Sequence, residues 1–146
     1  MKKIKVNEIL IPVSNMEDDK VVVDRALQLG KRLKANLTFL HIKKGRLIKQ
    51  GAGLNFMETP EEDDFSKKEI MAYIKSEKMK KKISVEVETI EHFNIGEGIA
   101  ENATGFELVV IGHKKEGFLD RIFGGHTLDK VLNHVNCDVY VVKVPH

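Results

Sequence analysis

The chain has 146 residues, a formal net charge of +2 and one cysteine, with apolar and charged fractions of 42% and 32% that exclude a disordered or fibrous protein. Its size predicts one domain over residues 1–146, and its near-neutral balance gives no general attraction to nucleic acid or anionic membrane. Cys137 alone cannot form an internal disulfide, which predicts a reducing, cytoplasmic setting, and no run reaches the roughly 18 apolar residues of a membrane span.

In chain order, Ile9-Leu10-Ile11-Pro12-Val13 reads as a buried strand, with Pro12 placed where the strand leaves its sheet. Ser14 to Asp19 opens a helix with polar cap candidates and acids in the first turn. Val22, Ala26, Leu29 and Leu33 then predict its buried face, and Lys31, Arg32 and Lys34 suit its negative end. Leu37 to Ile42 is a second strand. Residues 43–60 show no clear period and carry Gly45, Gly51, Gly53 and Pro60, which predicts a long functional loop. A helix is predicted over Glu61 to Lys80, where Lys78 to Lys82 reads as its solvated basic end. The alternating segment Ile83 to Ile90 reads as an edge strand. Asn94 and Glu97 form a capping-box pair ahead of Ile95, Ile99 and Ala103, and Gly105 is a helix terminator.

Leu108 to Ile111 has no polar interruption, which suits a strand covered on both faces. Gly112 closes that run, a basic segment with Gly117 follows, and Gly124-Gly125 lead into a helix with Phe123, Leu128, Val131, Leu132 and Val135 on one face. Asp138 to Val144 is a last apolar strand. Strands alternating with helices imply a five-stranded parallel sheet with helices on both faces, because parallel crossovers need a helix. In such sheets a ligand sits beyond the C-terminal strand ends where the strand order reverses. Pro12, Val13, Ser14, His41, Ile42 and Gly112 should converge there. The amides at the helix start, approached through glycines, suit a phosphate.

The pattern from Gly112 to Gly125 resembles that of the universal stress protein family, in which Gly, two residues, Gly, nine residues and Gly precede Ser or Thr. ILIPVSNMED, LTFLHI, NIGEGIAENATGFELVVIGH and VNCDVYVVKV are similar to other family segments, so the resemblance covers nearly the whole chain. It implies a Rossmann-like sheet of the adenine nucleotide alpha hydrolase-like architecture, with ATP or AMP as ligand. The implied contacts are Pro12, Val13, Ser14, the backbone of Ile42, Gly112, His113, Lys114, Lys115, Gly117, Gly125, His126 and Thr127. It also implies a homodimer through Asp138 to Val144. Three positions depart from the family pattern. Ser14 stands for an Asp, Lys115 for the second Gly, and His126 for the hydroxyl residue. An alternative is therefore an interaction module of the same fold that takes no nucleotide. IFGGHTLDKVL and NCDVYVVK also resemble stress-protein domains attached to membrane transporters, which makes a transporter its partner under that alternative.

Other chemistries find less support. Gly112 and Gly117 have P-loop spacing, but Phe118-Leu119 stands where Lys-Ser/Thr is required. The six histidines form no HxxxH pair, and one cysteine cannot complete a structural zinc site. No Ser-His-Asp or Cys-His set can be assembled, so the expectation is no enzyme beyond slow nucleotide hydrolysis.

Overall fold

The computed structural model describes residues 5–14, 16–44, 46–50, 53–57, 62–76, 83–114 and 127–145. Five strands form one parallel sheet, in the order Val85–His92, Asn36–Lys44, Glu8–Val13, Leu108–Lys114, Asp138–Val144. They are β1 (Glu8–Val13), β2 (Asn36–Lys44), β5 (Val85–His92), β6 (Leu108–Lys114) and β7 (Asp138–Val144). The helices are α1 (Met16–Leu33), α2 (Glu62–Ser76), α3 (Ile95–Asn102) and α4 (Thr127–His134). The parallel α/β architecture expected from the sequence is therefore present, with β5 on an edge as its polar alternation required.

The strand period of two divides the core. Ile9, Ile11 and Val13 of β1 face one way with Leu37 and Phe39, under α1 and α2. Leu10, Leu40, Ile42, Val109 and Ile111 face the other way, under Ile95 and Ile99 of α3 and Val131 of α4. Burial on both faces explains why β1 and β6 read as unbroken apolar runs.

Several boundaries differ from expectation, each for a physical reason. The buried stripe of α1 is Asp19, Val22, Val23, Ala26, Leu27 and Gly30, rotated from the predicted one, so Leu29 is half-buried and Leu33 exposed. Gly30 lies on that stripe and packs closely on β2: a Cβ there would meet Leu37 Cδ1 at 2.9 Å, so a larger residue would have to displace the Leu37 side chain. Leu132 of α4 is likewise exposed, while Val131 beside it is fully covered. Residues 43–60 are not an irregular loop throughout. β2 continues to Lys44, and β3 (Arg46–Gln50) pairs antiparallel with β4 (Gly53–Met57), from Arg46↔Met57 to Gln50↔Gly53. Strands of five residues give too few alternations to set a period, and the glycines at 51 and 53 were the hairpin signal. The helix predicted over Glu61 to Lys80 spans Glu62–Ser76, and the basic run 78–82 lies outside the described residues.

Candidate functional site

The strand order reverses between β1 and β6, since β1 continues to β2 on one side and the chain later returns as β6 on the other. The two flanks of β1 are paired to different lengths. Against β2 the register runs from Glu8↔Asn36 to Val13↔His41, whereas against β6 it holds only Ile9↔Leu108 and Leu10↔Val109. Pro12, which has no N–H to contribute to a ladder, follows within two residues. The expected departure of the strand at Pro12 is thus one-sided: β1 leaves β6 while keeping β2. The result is an opening in the hydrogen-bonded ladder between the C-terminal halves of two central strands.

Ser14 stands at the end of β1 on one side of this opening. Both of its donors are turned to one partner. Its backbone N–H donates to Asp19 Oδ2 at 2.5 Å and its hydroxyl donates to the same oxygen at 2.8 Å. Asp19 lies in the first turn of α1 and is only 5% exposed. The helix start favours an anion there, and two donated hydrogen bonds offset its burial. Ser14 replaces the Asp expected from the family pattern, yet a carboxylate occupies the same corner, delivered from α1. The sequence showed three consecutive acids, Glu17, Asp18 and Asp19, with no way to tell which one turned inward.

Gly112 lies on β6, the strand on the other side, and comes close to Asp19, the partner of Ser14. It is not a loop residue: β6 continues through Lys114, and Gly112, His113 and Lys114 pair with Val142, Lys143 and Val144 of β7. This corrects the expectation that Gly112 ends the strand. Its glycine identity follows from packing, because a Cβ would stand 2.6 Å from Val22 Cγ2, 3.2 Å from Val144 Cγ2 and 3.9 Å from Asp19 Oδ1. Among the described glycines a positive φ occurs at Gly105 alone. The first turn of α1, the end of β1 and the end of β6 are therefore in contact through the space that Gly112 leaves.

The remaining candidates divide. Val13 is buried on the α1 face, and His41, its register partner, is buried too. Ile42 points to the opposite face, where its Cδ1 would lie 3.3 Å from a Cβ on Gly98, so its side chain belongs to the α3 contact. Only its backbone is available to the rim. His113 is exposed at the end of β6. Thr127 is the first residue of α4 and is buried, as the predicted helix start requires. Lys115, Gly117, Gly125 and His126 lie outside the described residues. Sequence reasoning missed Asp19, Val22 and Val144 as rim residues.

The start of α4 adjoins that of α3, where a Cβ on Gly96 would meet Lys130 Cβ at 2.9 Å and the Thr127 carbonyl oxygen at 3.5 Å. α3 is capped by Asn94, whose side-chain oxygen accepts from Glu97 N at 3.0 Å. The return arm of the expected capping box is absent. Asn94 N donates to His92 Nδ1 at 2.9 Å instead, and Glu97 reaches Lys130 of α4 at 3.8 Å. No group of three or more His, Cys, Asp or Glu that could hold a metal occurs among the described residues. Cys137 is half-buried just before β7, and burial, aided by the charges of Asp138 and Glu107, pushes its thiol above the ordinary value of 9.0. It is a protonated, weakly nucleophilic thiol at neutral pH. No described helix is long and apolar enough to cross a membrane.

Comparison with known proteins agrees with this architecture. A universal stress protein from Archaeoglobus fulgidus in complex with dAMP superposes with a TM-score of 0.62 at 17% identity, covering 96% of this chain and all of that one. A universal stress protein in complex with cAMP gives 0.62 at 16% identity, covering 97% and 99%. UspA from Lactobacillus plantarum gives 0.57 at 19% identity, covering 96% and 99%. At these identities the likeness shows the fold alone. Sequence comparison with curated proteins finds no match. The sequence profile of the universal stress protein family matches residues 5–143, nearly the full length, and the chain belongs to that family.

Proposed function

We propose that this chain binds an adenine nucleotide, AMP or ATP, at the opening between β1 and β6, and acts as a regulatory protein rather than a catalyst. The observation that carries the proposal is the one-sided pairing of β1, whose ladder with β6 stops at Leu10↔Val109 beside the switch point of the sheet. The complexes of the structural neighbours with dAMP and cAMP support adenine nucleotides as the ligand class. In this reading Pro12, Val13, Ser14 and the Ile42 backbone meet the nucleoside. Gly112, His113 and Lys114, with Lys115, Gly117, Gly125, His126 and Thr127, meet the phosphates. The setting is the cytoplasm, and the assembly is a homodimer through β7, an edge strand whose Val141 is exposed.

Isothermal titration with ATP, AMP and cAMP tests the reading: saturable heat with at least one is expected, and no heat or thermal shift with any of the three would reject it. One observation favours a second reading. Ser14, Lys115 and His126 stand where the family pattern has Asp, Gly and Ser or Thr, and a module that takes no nucleotide and engages a protein partner, such as a membrane transporter, fits those departures. Nucleotide retained through purification would refute this alternative.

A further inference from the structure

β5 has a paired edge and an open one. On the paired edge, Leu37 N donates to the Ser84 carbonyl oxygen at 2.9 Å, and Ser84 N donates to Asn36 Oδ1 at 2.9 Å. Both backbone groups of Ser84 therefore turn inward, and by the alternation of a strand those of Ile83, Val85 and Val87 turn outward. No described strand takes them, since β5 ends the sheet. Such a row of donors and acceptors is a template for another strand, and proteins commonly guard it with charge. Glu86 and Glu88 are exposed between half-buried Val85, Val87 and Thr89, in the place of such a guard.

Like charges along an edge repel a second copy, but here the sign changes along the chain. Residues 80–88 read Lys-Lys-Lys-Ile-Ser-Val-Glu-Val-Glu, basic before Ser84 and acidic after it. Set antiparallel to itself about Ser84, this sequence places Lys82 opposite Glu86, Lys80 opposite Glu88 and Ile83 opposite Val85, each twice by symmetry. The backbone suits that register. Ile83 and Val85, with outward groups, form the hydrogen-bonded pairs, and Ser84 meets its own copy at a non-hydrogen-bonded position. Neighbouring registers are poorer. Centred on Val85 the strands keep only the Lys82–Glu88 pair, and centred on Glu86 they oppose two carboxylates. Centred on Ile83 they set Lys82 against Ser84 and lose both Ile83–Val85 pairs.

We propose that the outer edge of β5 docks a second copy of this chain, the two strands running antiparallel about Ser84, with Lys80 and Lys82 of each facing Glu88 and Glu86 of the other. The contact lies at the opposite edge of the sheet from β7, and it is independent of nucleotide.

Cysteine cross-linking tests the register, in a Cys137→Ser background and with thermal melts to establish that each variant is folded. A non-hydrogen-bonded antiparallel pair holds its Cα atoms about 4.5 Å apart, within disulfide reach. Ser84→Cys should therefore give a covalent dimer in air. Glu88→Cys should not, because its two copies would lie about 26 Å apart along the strands. Charge substitutions in the Ser84→Cys background test the pairing. Lys80→Glu with Lys82→Glu should slow dimer formation about tenfold or more, and adding Glu86→Lys with Glu88→Lys should restore it, since the exchange returns every pair. Sedimentation provides a second readout without cysteine: Glu86→Lys with Glu88→Lys should lower self-association of the otherwise native chain. No cross-link at Ser84, equal cross-linking at Ser84 and Glu88, a charge exchange that restores nothing, or sedimentation unmoved by the glutamate substitutions would each overturn the proposal.

Discussion

A methyl group on Gly112 would stand 2.6 Å from Val22 Cγ2, inside any real carbon–carbon contact. Val22 is β-branched and sits in a helix, where its χ1 is nearly fixed, so it cannot swing aside. Replacing glycine by alanine ordinarily gains about 0.4–1 kcal/mol from the unfolded state. Overpacking costs about 1–3 kcal/mol and wins here. Gly112→Ala should therefore lower the urea midpoint, and Val22→Ala, itself costly in the core, should cost less in the Gly112→Ala background than in the wild type. Strict additivity of the two would contradict the contact. Residue-scale legibility was uneven. Gly112 was visible as the end of an apolar run, but its reason was not, because the helix it touches is ninety residues earlier in the chain. Asp19 was visible only as one of three acids in a first helical turn. Its reach back to Ser14 depends on how α1 rotates against the sheet, which is a matter of tertiary packing.

The elements were the most legible level, and α3 shows how far local signals went. Asn94 and Glu97 marked its start, and the Asn94 cap forms at 3.0 Å. The reciprocal bond does not form, because His92 Nδ1 is nearer to the Asn94 amide and Lys130 draws Glu97 toward α4. Asn94→Ala should cost about 1 kcal/mol, the usual value of such a cap. Glu97→Gln should cost less than about 0.5 kcal/mol, because the 3.8 Å pair with Lys130 is well solvated. Equilibrium denaturation of both variants tests the ranking, and a larger loss for Glu97→Gln would show that the ion pair, not the cap, holds the helix. Gly105 was read as the terminator. It stands at φ 89° in the turn closed by Phe106 N and the Ala103 carbonyl at 3.1 Å, two residues after the cap position. The β3–β4 hairpin was missed because five-residue strands without clean alternation look aperiodic.

At the scale of the whole molecule the two ends of the sheet are built differently. The N-terminal end is stitched by side chains across four strands. The Glu107 carboxylate accepts from Glu8 N at 3.0 Å and Asn7 N at 3.3 Å, Asn36 Nδ2 donates to Glu8 Oε1 at 3.0 Å, and Ser84 N donates to Asn36 Oδ1 at 2.9 Å. The C-terminal end is where β1 and β6 part and where Ser14, Asp19, Gly112 and the start of α4 gather. The stitched end and the proposed site are thereby separated by the length of the strands. Glu107→Ala should lower stability by about 1–2 kcal/mol, since two backbone donors lose a charged acceptor, while leaving nucleotide affinity unchanged. The parallel sheet with helices on both faces followed from the alternation of strands and helices alone. The opening did not, because it depends on where one ladder stops.

The central claim is that the parted ends of β1 and β6 receive an adenine nucleotide, and amide-resolved NMR during an AMP titration tests it most directly. Saturable shifts should concentrate at Val13, Ser14, Gly112 to Lys114 and Thr127, with Asn7, Glu8 and Ser84 at the stitched end unmoved. Shifts confined to the stitched end, or none at millimolar AMP, would contradict it.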